Sequence, residues 1–439
     1  MGETAQILAL WRRAQAHGEK VCLATVVHVE GSSYRKPGAR MLVTSGGERA
    51  GTISGGCLEA EVSRKAWWLT ADGPAVEQYQ SSFDEDGGGV PWGLGCGGTV
   101  WVLLEQEPTA ILCAMEAALE SSRAAVIVSR LAAPAQTLAV VSAQAFANLE
   151  LSQAPPRKRA YVSAEKLPAP LRQAAARAFR DCKTLALNET FSPVGTFSPI
   201  EAFSPANALP MYFVEYLAPP PRLTIFGAGD DAQPIARFAS ALGWRVAVAD
   251  GRSHLLRRER FAEAAELRLL HYPSDPAPAL SPILCGLAEA PSGSTPQSIP
   301  NPSLPVDAKA AKAVEVPQRP HFPSIPRVAT GIEPGEFAVL LTHSFEQDRA
   351  LLAALLPTPL PYLGILGPRH RTLRLLEEVA PVIGWTVEQC LTRLHSPIGL
   401  DLGGRDPAAI ALSIMAEMQA ILAGRQVLVS RSEPEAIHV

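Results

Sequence analysis

The sequence predicts an α/β protein of two domains, with a parallel sheet in the second domain and a proline-rich insert within it. In both halves, β-branched apolar runs alternate with amphipathic helical segments, the pattern of sheets covered by helices. A Gly-x-Gly-x-x-Ala sequence stands between a short apolar run at Arg222–Phe226 and a helical segment, and Pro273–Pro326 holds 13 of the 39 prolines. The predicted parts are residues 1–150, a poorly readable connection at 151–210, and residues 211–425 with an insert at 273–330.

Composition argues against several classes of partner. The 439 residues exceed the usual size of one domain, and a hydrophobic content of 47% is enough for well-packed cores. The net charge is −4, and no basic stripe stands out among 39 basic and 43 acidic residues, which argues against nucleic acid. The seven cysteines never form a CxxC pair, which favours a reducing compartment over disulfides or a zinc site. Without a secretory signal pattern or a bilayer-spanning apolar run, the sequence predicts a cytoplasmic protein with no membrane partner.

Periodicity assigns the elements of the first domain in order. Apolar residues at helical spacing mark the helices, and β-branched or alternating runs mark the strands. The predicted elements are a helix at Thr4–His17, a strand at Val21–Val29, a hairpin of Ala39–Thr44 and Arg49–Ile53, a helix at Leu58–Leu69, strands at Ala75–Gln80 and Thr99–Leu104, a helix at Thr109–Ser121, and strands at Ala125–Ser129 and Thr137–Ser142. The last two strands are expected to complete this α/β unit. Beyond them a helix is predicted at Leu171–Cys182, and the repeated Phe-Ser-Pro from Phe191 onward is interpreted as a loop.

A loop rich in glycine and basic residues, within Val29–Val62, is the first candidate site. Its glycines permit backbone angles that other residues avoid, and its arginines offer planar, permanently charged forks for phosphate or carboxylate. The candidate cofactor-binding residues here are Gly31, Ser32, Ser33, Arg35, Gly38 and Arg40. Taken singly, each is better explained by an ordinary surface turn. Their crowding favours an anion or cofactor site.

Ser54-Gly55-Gly56-Cys57 forms the other half of this candidate site, at a predicted helix start. Glycines before a helix let free backbone N–H groups reach a ligand, where the helix dipole favours negative charge. The same setting favours the thiolate form of a cysteine, so Cys57 is a candidate reactive thiolate. The alternative is that Cys57 is a small buried hydrophobe. Cys96, which also lies among glycines, is a further candidate.

The second domain carries a dinucleotide-binding pattern. Gly227 and Gly229 open a helix predicted at Asp231–Leu242, and the next strand, Arg245–Ala249, ends at Asp250. Strand, glycine loop, helix and an acid about twenty residues further on make up the Rossmann fingerprint. The glycines would admit a pyrophosphate, and Asp250 would face a ribose. Two further acids beside the loop, Asp230 and Asp231, argue mildly against ordinary NAD binding.

Strand–helix alternation extends this parallel sheet toward the C-terminus. The predicted elements are a strand at Glu336–Thr342, a helix at Gln347–Leu356, a strand at Tyr362–Leu366 and a closing helix at Pro407–Leu422. Ligands of such sheets bind at the carboxyl ends of the strands, so His343, Arg252 and Arg369 are candidates for the same crevice as Gly227. The two arginines could hold a phosphate bidentately. For His343, a hydrogen-bonded neutral ring is favoured over a direct role.

Seven motifs follow one another along the chain: GSSYRKPGARMLV, GTISGGCLEAEV, RLTIFGAGDDAQPIARFASALGW, VADGR, LTHSFEQD, YLGILGPRHR and SPIGLDLGG. Together they resemble the XdhC/CoxI family of xanthine dehydrogenase accessory proteins, over roughly residues 5–105 and 211–423. The resemblance implies a chaperone that binds the molybdenum cofactor, as molybdopterin or its dinucleotide form, and shields it while its terminal sulfur is installed. It implies as partners a molybdenum hydroxylase of xanthine dehydrogenase type and a cysteine desulfurase, and no substrate turnover.

The family's signatures fall on the candidate positions of both domains. They are Gly31, Ser32, Arg35, Pro37, Gly38, Arg40, Gly55, Gly56 and Cys57 in the first domain, and Gly227, Gly229 and Ala232 in the second. Two function classes stay open. One is a cofactor chaperone in which Cys57 contacts or protects the molybdenum centre. The other is an NAD(P)-dependent oxidoreductase that uses the Gly227 loop, Asp250 and His343. The sequence also leaves open whether the working unit is a homodimer.

Overall fold

Three five-stranded sheets organise the described part of the chain. The structure is a computed structural model that describes residues 2–56, 58–80, 98–142, 167–197, 209–271, 330–332 and 335–425. The strands are β1 (Val21–Glu30), β2 (Arg40–Thr44), β3 (Arg49–Gly51), β4 (Ala75–Gln80), β5 (Thr99–Gln106), β6 (Ala125–Arg130), β7 (Gln136–Ser142), β8 (Thr184–Leu187), β9 (Pro193–Phe197), β10 (Tyr212–Leu217), β11 (Arg222–Phe226), β12 (Arg245–Asp250), β13 (Glu266–Leu269), β14 (Phe337–Leu340) and β15 (Tyr362–Ile365).

The helices are α1 (Glu3–His17), α2 (Glu59–Leu69), α3 (Thr109–Ser121), α4 (Ala169–Asp181), α5 (Ala232–Ala241), α6 (Phe345–Leu355), α7 (Arg369–Ile383), α8 (Val387–Arg393) and α9 (Pro407–Leu422). Of these helices, all within the described ranges, none is both long enough and apolar enough to cross a bilayer.

The first sheet has the order β3-β2-β1-β5-β4, and its pairings are antiparallel. One face is covered by α2 through the buried Leu58, Val62 and Ala66, which recur at helical spacing. The other face is covered by α1 and α3. The helices, the hairpin and the long strands predicted for this region are thereby confirmed.

The second sheet corrects the expectation that the strands at 125–142 complete the first unit. Its order is β7-β6-β10-β8-β9, so β6 pairs with β10 instead of with a strand of the first sheet. α4, which confirms the helix predicted there, packs on this sheet. The sheet takes strands from all three predicted parts of the chain, so the breaks at residues 150 and 210 do not separate independent sheets. Pairing between strands distant in sequence leaves no mark in local periodicity, and for that reason the pattern did not reveal it.

The interpretation of the Phe-Ser-Pro segment as a loop is wrong for Pro193–Phe197, which forms β9 and pairs with β8. The proline-rich insert at Pro273–Pro326 lies outside the described residues and stays a prediction.

The third sheet is parallel throughout, with the order β13-β12-β11-β14-β15. Its faces are covered by α5 and α9 on one side and by α6, α7 and α8 on the other. This three-layer arrangement confirms the predicted Rossmann-like fold. The chain order reverses between β11 and β14, so the loops that follow these two strands flank the switch point where ligands of such sheets bind.

The first and third sheets are joined at the amino ends of the parallel strands. Gly2, which precedes α1, lies so close to Gly243 that a Cβ on Gly2 would come within 2.5 Å of Gly243 Cα. At the start of β12, Arg245 Nη1 donates to the carbonyl oxygens of Leu119 (3.1 Å) and Glu120 (2.9 Å). These contacts place the start of α1 at the end of the parallel sheet that lies opposite the switch point.

Candidate functional site

The loop after β1 borders a cavity of about 260 Å³. The cavity is lined by Val29, Gly31, Ser32, Ser33, Arg35, Lys36 and Pro37. Gly31 (φ 71°) and Gly38 (φ 96°) adopt left-handed backbone angles that residues with side chains rarely adopt, which allows the chain to fold back on itself here. Four of the predicted residues, Gly31, Ser32, Ser33 and Arg35, are therefore brought together around one cavity.

Arg35 connects this loop to the start of α1. Its Nη2 donates to Glu3 Oε2, and the other carboxylate oxygen, Glu3 Oε1, accepts from the backbone N–H of Thr52 (2.7 Å). The Nε of Arg35 is buried and has no hydrogen-bond partner among the described residues. A buried donor without an acceptor is rare in folded proteins, so an acceptor atom of a ligand would fit at this position.

Arg40 has a different role from the one predicted for it. The sequence suggests a fork for phosphate, but the structure buries this residue at 6% exposure and pairs it bidentately with Glu215 of β10. Gly38 belongs to the same cluster, since its carbonyl oxygen accepts from Arg40 Nη1 (3.2 Å). Arg40 thus links the first sheet to the second, and its fork is directed at a carboxylate of the chain itself.

The turn before α2 contains a carboxylate where the sequence predicts free N–H groups for a ligand. Glu59, buried at 4% exposure, accepts from the backbone N–H groups of Ile53, Ser54 and Gly56, each at 2.9 Å. The hydroxyls of Thr52 and Ser54 donate to the same carboxylate. The turn is therefore an anion cradle, as its glycines suggest, but the anion in it is Glu59.

These hydrogen bonds control the ionisation of Glu59. Burial favours the neutral acid and acts to raise the pKa of Glu59, but hydrogen bonds from Ser54, Thr52 and the backbone outweigh burial and lower the pKa to about 2. Glu59 is consequently a permanent anion at neutral pH. Gly55 (φ 88°) and Gly56 (φ 119°) supply the left-handed angles that turn the backbone around this carboxylate.

Tyr34 lies at the outer edge of both loops. Its side chain is 76% exposed, and its Cβ and Cγ would lie 3.9 Å from a Cβ built on Gly55.

The two predicted cysteines, Cys57 and Cys96, lie outside the described residues.

At the switch point of the parallel sheet, the loops after β11 and β14 lie in contact. A Cβ on Gly227 (φ 116°) would come within 2.3 Å of the carbonyl oxygen of Leu341. His343, itself left-handed at φ 59°, places its Nε2 3.1 Å from Asp231 Oδ2 and its ring beside Gly229. His343 thus lies in the crevice as predicted, and it is paired there with an acid of the glycine loop.

Asp250 is engaged within the chain and does not present a free carboxylate to a ribose. Its Oδ2 accepts from the backbone N–H of Ala228 in the glycine loop (2.6 Å) and from Arg252 Nη2 (2.9 Å). Its Oδ1 accepts from the backbone N and the Nε of Arg252. Burial acts to raise the pKa of Asp250, but the Arg252 guanidinium and the Ala228 N–H lower it overall. An N–H that would contact a pyrophosphate is therefore already bonded.

At the start of α7, Arg371 forms a described ion pair, whereas the predicted Arg369 lies at the surface. Arg369, the predicted residue, is the first residue of α7 and is exposed. Arg371 Nη1 lies 2.7 Å from Asp348 Oδ2, while Asp348 Oδ1 accepts from the hydroxyl of Thr342 (2.6 Å). Burial raises the pKa of Asp348 despite these contacts. The network joins the loop after β14 to α7 and leaves Arg369 at the surface.

The described contacts do not bring the candidate residues of the first domain together with those of the Rossmann crevice. The loop that contains Arg35 is attached to Glu3, which follows Gly2 at the amino end of the parallel sheet. The Gly227 loop lies at the carboxyl end. Five residue steps along β12 separate the two edges by about 17 Å. The loop around Arg35 and the crevice are therefore two separate candidate sites.

Sequence reasoning missed the carboxylates that organise these sites. Glu3, Glu59 and Glu215 each bind a predicted site element, yet none is a predicted site residue: Glu59 lies within the GTISGGCLEAEV motif, and the other two lie outside all seven motifs. A usable signal existed for the first two, because acids in the first turn of a helix are positioned to accept from nearby N–H groups. No local signal marks Glu215, which lies 175 residues from Arg40.

The fold and the loops define a protein in which an antiparallel-sheet domain, with a glycine-rich loop around Arg35, is joined to a Rossmann domain. Two family models match it: the XdhC and CoxI family over residues 14–80, and the XdhC Rossmann domain over residues 223–418. Together the matches cover more than half of the chain. The chain belongs to the XdhC and CoxI family.

Two known proteins are similar over nearly the full length, and a third is similar over part of it. A protein of Bacillus subtilis strain 168, named as a probable subunit of xanthine dehydrogenase, is 27% identical over 408 residues, which are 91% of this chain and 92% of that protein. An uncharacterized protein of Escherichia coli K12 is 29% identical over 201 residues, 45% of this chain and 27% of that protein. The crystal structure of a protein from Bacillus halodurans, described as a xanthine dehydrogenase, superposes with a TM-score of 0.61 at 25% identity and covers 98% of both chains. Family membership, together with a relative that is named as one subunit of an enzyme, favours an accessory role over turnover by the chain itself.

Proposed function

We propose that this protein is an accessory factor of a molybdenum hydroxylase of xanthine dehydrogenase type. It binds the molybdenum cofactor, as molybdopterin or its dinucleotide form, protects it while a cysteine desulfurase supplies the terminal sulfur, and delivers it to the hydroxylase. The names of the similar proteins support the connection to xanthine dehydrogenase. The observation that carries the cofactor proposal is the cavity beside Arg35, with its unsatisfied buried Nε, next to the turn that leads into Cys57.

The residues around the cavity fit an anionic ligand. Arg35 and Lys36 contribute positive charge, and Ser32 contributes a hydroxyl, while the Ser33 hydroxyl donates to the carbonyl oxygen of Arg35 (2.9 Å). Arg35 Nε needs an acceptor, which the phosphate of a pterin cofactor supplies. The cofactor carries the metal chemistry of the client enzyme, and the role of this chain is to hold the phosphate end and to limit access of water.

Pterin content tests the proposal directly. Protein purified from a host that makes the cofactor should release a fluorescent pterin after acid iodine oxidation. The matched control is the same protein from a host that lacks the pterin pathway. Equal fluorescence from both preparations would contradict the proposal.

A second test concerns Cys57, which we propose contacts the molybdenum centre or protects its sulfur through a thiolate. Cys57→Ala should lower pterin retention about tenfold or more while the melting temperature stays within a few degrees. Two controls are available in the described part of the chain: Cys113 in α3, where burial raises the thiol pKa, and the exposed Cys182 after α4. Cys113→Ala and Cys182→Ala should retain pterin as the wild type does. Equal retention in all three variants would refute the role of Cys57.

The alternative function, an NAD(P)-dependent oxidoreductase, is disfavoured by the crevice. Asp250 is bonded to Arg252 and to the glycine loop, and Asp231 with His343 places charged and polar groups where a pyrophosphate would sit. Calorimetric titration with NADH and NADPH should therefore show weak or absent binding. Micromolar binding that is lost in Gly229→Glu, with pterin retention unchanged, would favour the oxidoreductase.

A further inference from the structure

Glu3 lies between two elements that otherwise form an anion site. On one side is the guanidinium of Arg35, and on the other is the backbone N–H of Thr52. A guanidinium fork and a backbone N–H directed at the same point are the usual donors for a phosphate group. In this structure a carboxylate of the chain itself receives both donors.

The carboxylate satisfies only part of this donor set. Nε and Nη2 form one edge of a guanidinium and commonly bind two oxygens of one anion. Glu3 takes Nη2 and the Thr52 N–H, and Arg35 Nε stays buried without a partner among the described residues. A carboxylate has two oxygens, whereas a phosphate monoester has three terminal oxygens and more negative charge. A phosphate therefore matches the three donors better than Glu3 does.

Comparison with Glu59 shows why Glu3 can be replaced. Glu59 is 4% exposed and accepts from five donors of the same turn, so its removal would leave all of them unsatisfied. Glu3 is 35% exposed and has these two contacts.

Glu3 also has space to move into. A cavity of about 630 Å³ is lined mostly by apolar residues of α1, α3 and the segment that leads into β12, and Glu3 is among the lining residues. Because the Glu3 side chain is 35% exposed, a carboxylate released from Arg35 can be hydrated by solvent.

From these observations we infer that Glu3 is an exchangeable internal anion, which a phosphate monoester of the ligand replaces between Arg35 and the Thr52 N–H. The inference deepens the proposed function and rests on it in one respect, namely that the loop that contains Arg35 holds a phosphate-bearing cofactor. Its consequence is that Glu3 lowers affinity for the ligand, because the ligand must displace a carboxylate tethered at high effective concentration.

Phosphate affinity of matched variants tests the inference. Calorimetry with inorganic phosphate at constant ionic strength should show binding to the wild-type protein that is tighter by about fivefold or more in Glu3→Gln, which keeps the shape of the side chain and removes its charge. Arg35→Ala should lose the binding, and Arg35→Lys, which keeps the charge without the fork, should weaken it. The control is Glu48→Gln, since Glu48 pairs with Arg13 on the exposed surface of the same domain. It should bind phosphate as the wild type does.

Two results would overturn the inference: equal or weaker phosphate binding in Glu3→Gln than in the wild type, or full binding in Arg35→Ala. Melting temperatures of all variants, measured in chloride, establish that each is folded. The outcome is separable from the pterin test. Pterin retention without a gain in Glu3→Gln refutes the exchange alone, and a phosphate gain without pterin in any preparation refutes the cofactor proposal alone.

Discussion

Single carboxylates decide what the predicted loops can do. Glu59 occupies the N–H groups of the Gly55-Gly56 turn, and its ionised form is stabilised there to a pKa of about 2. Glu3, which is more exposed, accepts a hydrogen bond from Nη2 of Arg35. The predicted site residues thus act through carboxylates that are not among the predicted site residues.

The ionisation of Glu59 predicts a pH dependence of stability. Its folded-state pKa of about 2 lies below the ordinary value of 4.5, so Glu59 stabilises the fold fully above pH 4.5, and this contribution is lost as the pH falls toward 2. Urea unfolding should show that Glu59→Gln is less stable than the wild type at pH 7, and that the difference shrinks below pH 4.5. A difference that is the same at pH 7 and pH 3 would contradict the assignment.

At the scale of elements, two glycines of one loop have opposite requirements. Gly227 has a left-handed φ of 116° and no space for a Cβ, which would come within 2.3 Å of Leu341 O. Gly229 has space, since the nearest atoms to its Cβ position are ring atoms of His343 at 3.9 Å. Both glycines belong to the Rossmann fingerprint, but the packing of the loops requires a glycine only at Gly227.

Gly227→Ala should therefore lower the free energy of unfolding by about 2–4 kcal/mol, because strained backbone and overpacking add. Gly229→Ala should change it by less than about 1 kcal/mol. Chemical denaturation of the two variants beside the wild type measures both. Similar losses in the two variants would mean that the loops do not pack as described.

The elements that could be predicted are those with a local pattern. The Gly227 loop, its strand and its helix are predictable because the turn, the periodicity and the acid all lie within a short stretch. β10 was not predicted as the partner of β6, nor β9 as a strand, because pairing of this kind depends on residues far along the chain. The same reason explains the sites: Gly31 and Arg35 were visible in sequence, whereas Glu3 becomes their neighbour only after α1 has packed on the first sheet.

For the whole molecule, the ion pair of Arg40 with Glu215 connects the first two sheets. The two side chains are 6% and 7% exposed, so each is buried with the other as its counter-ion. Removal of one partner leaves an uncompensated charge in the interior, whereas replacement of both by apolar residues of similar size is often tolerated.

Arg40→Ala should thus destabilise the fold by about 3–5 kcal/mol. The double variant Arg40→Met with Glu215→Leu should recover much of this loss. The measurement is a double-mutant cycle by chemical denaturation. A small effect of Arg40→Ala would argue that the arginine is available for a ligand, as the sequence alone suggests.

We propose that the loop that contains Arg35, at the amino end of the parallel sheet, holds the cofactor, and that the crevice at the carboxyl end does not. Pterin content distinguishes the two positions when it is measured in Arg35→Ala and Gly229→Glu, both purified from a cofactor-competent host and both shown to be folded. We predict that Arg35→Ala loses about tenfold or more of the bound pterin and that Gly229→Glu retains as much as the wild type. Full retention in Arg35→Ala, with loss in Gly229→Glu, would contradict the claim and assign the cofactor to the Rossmann crevice.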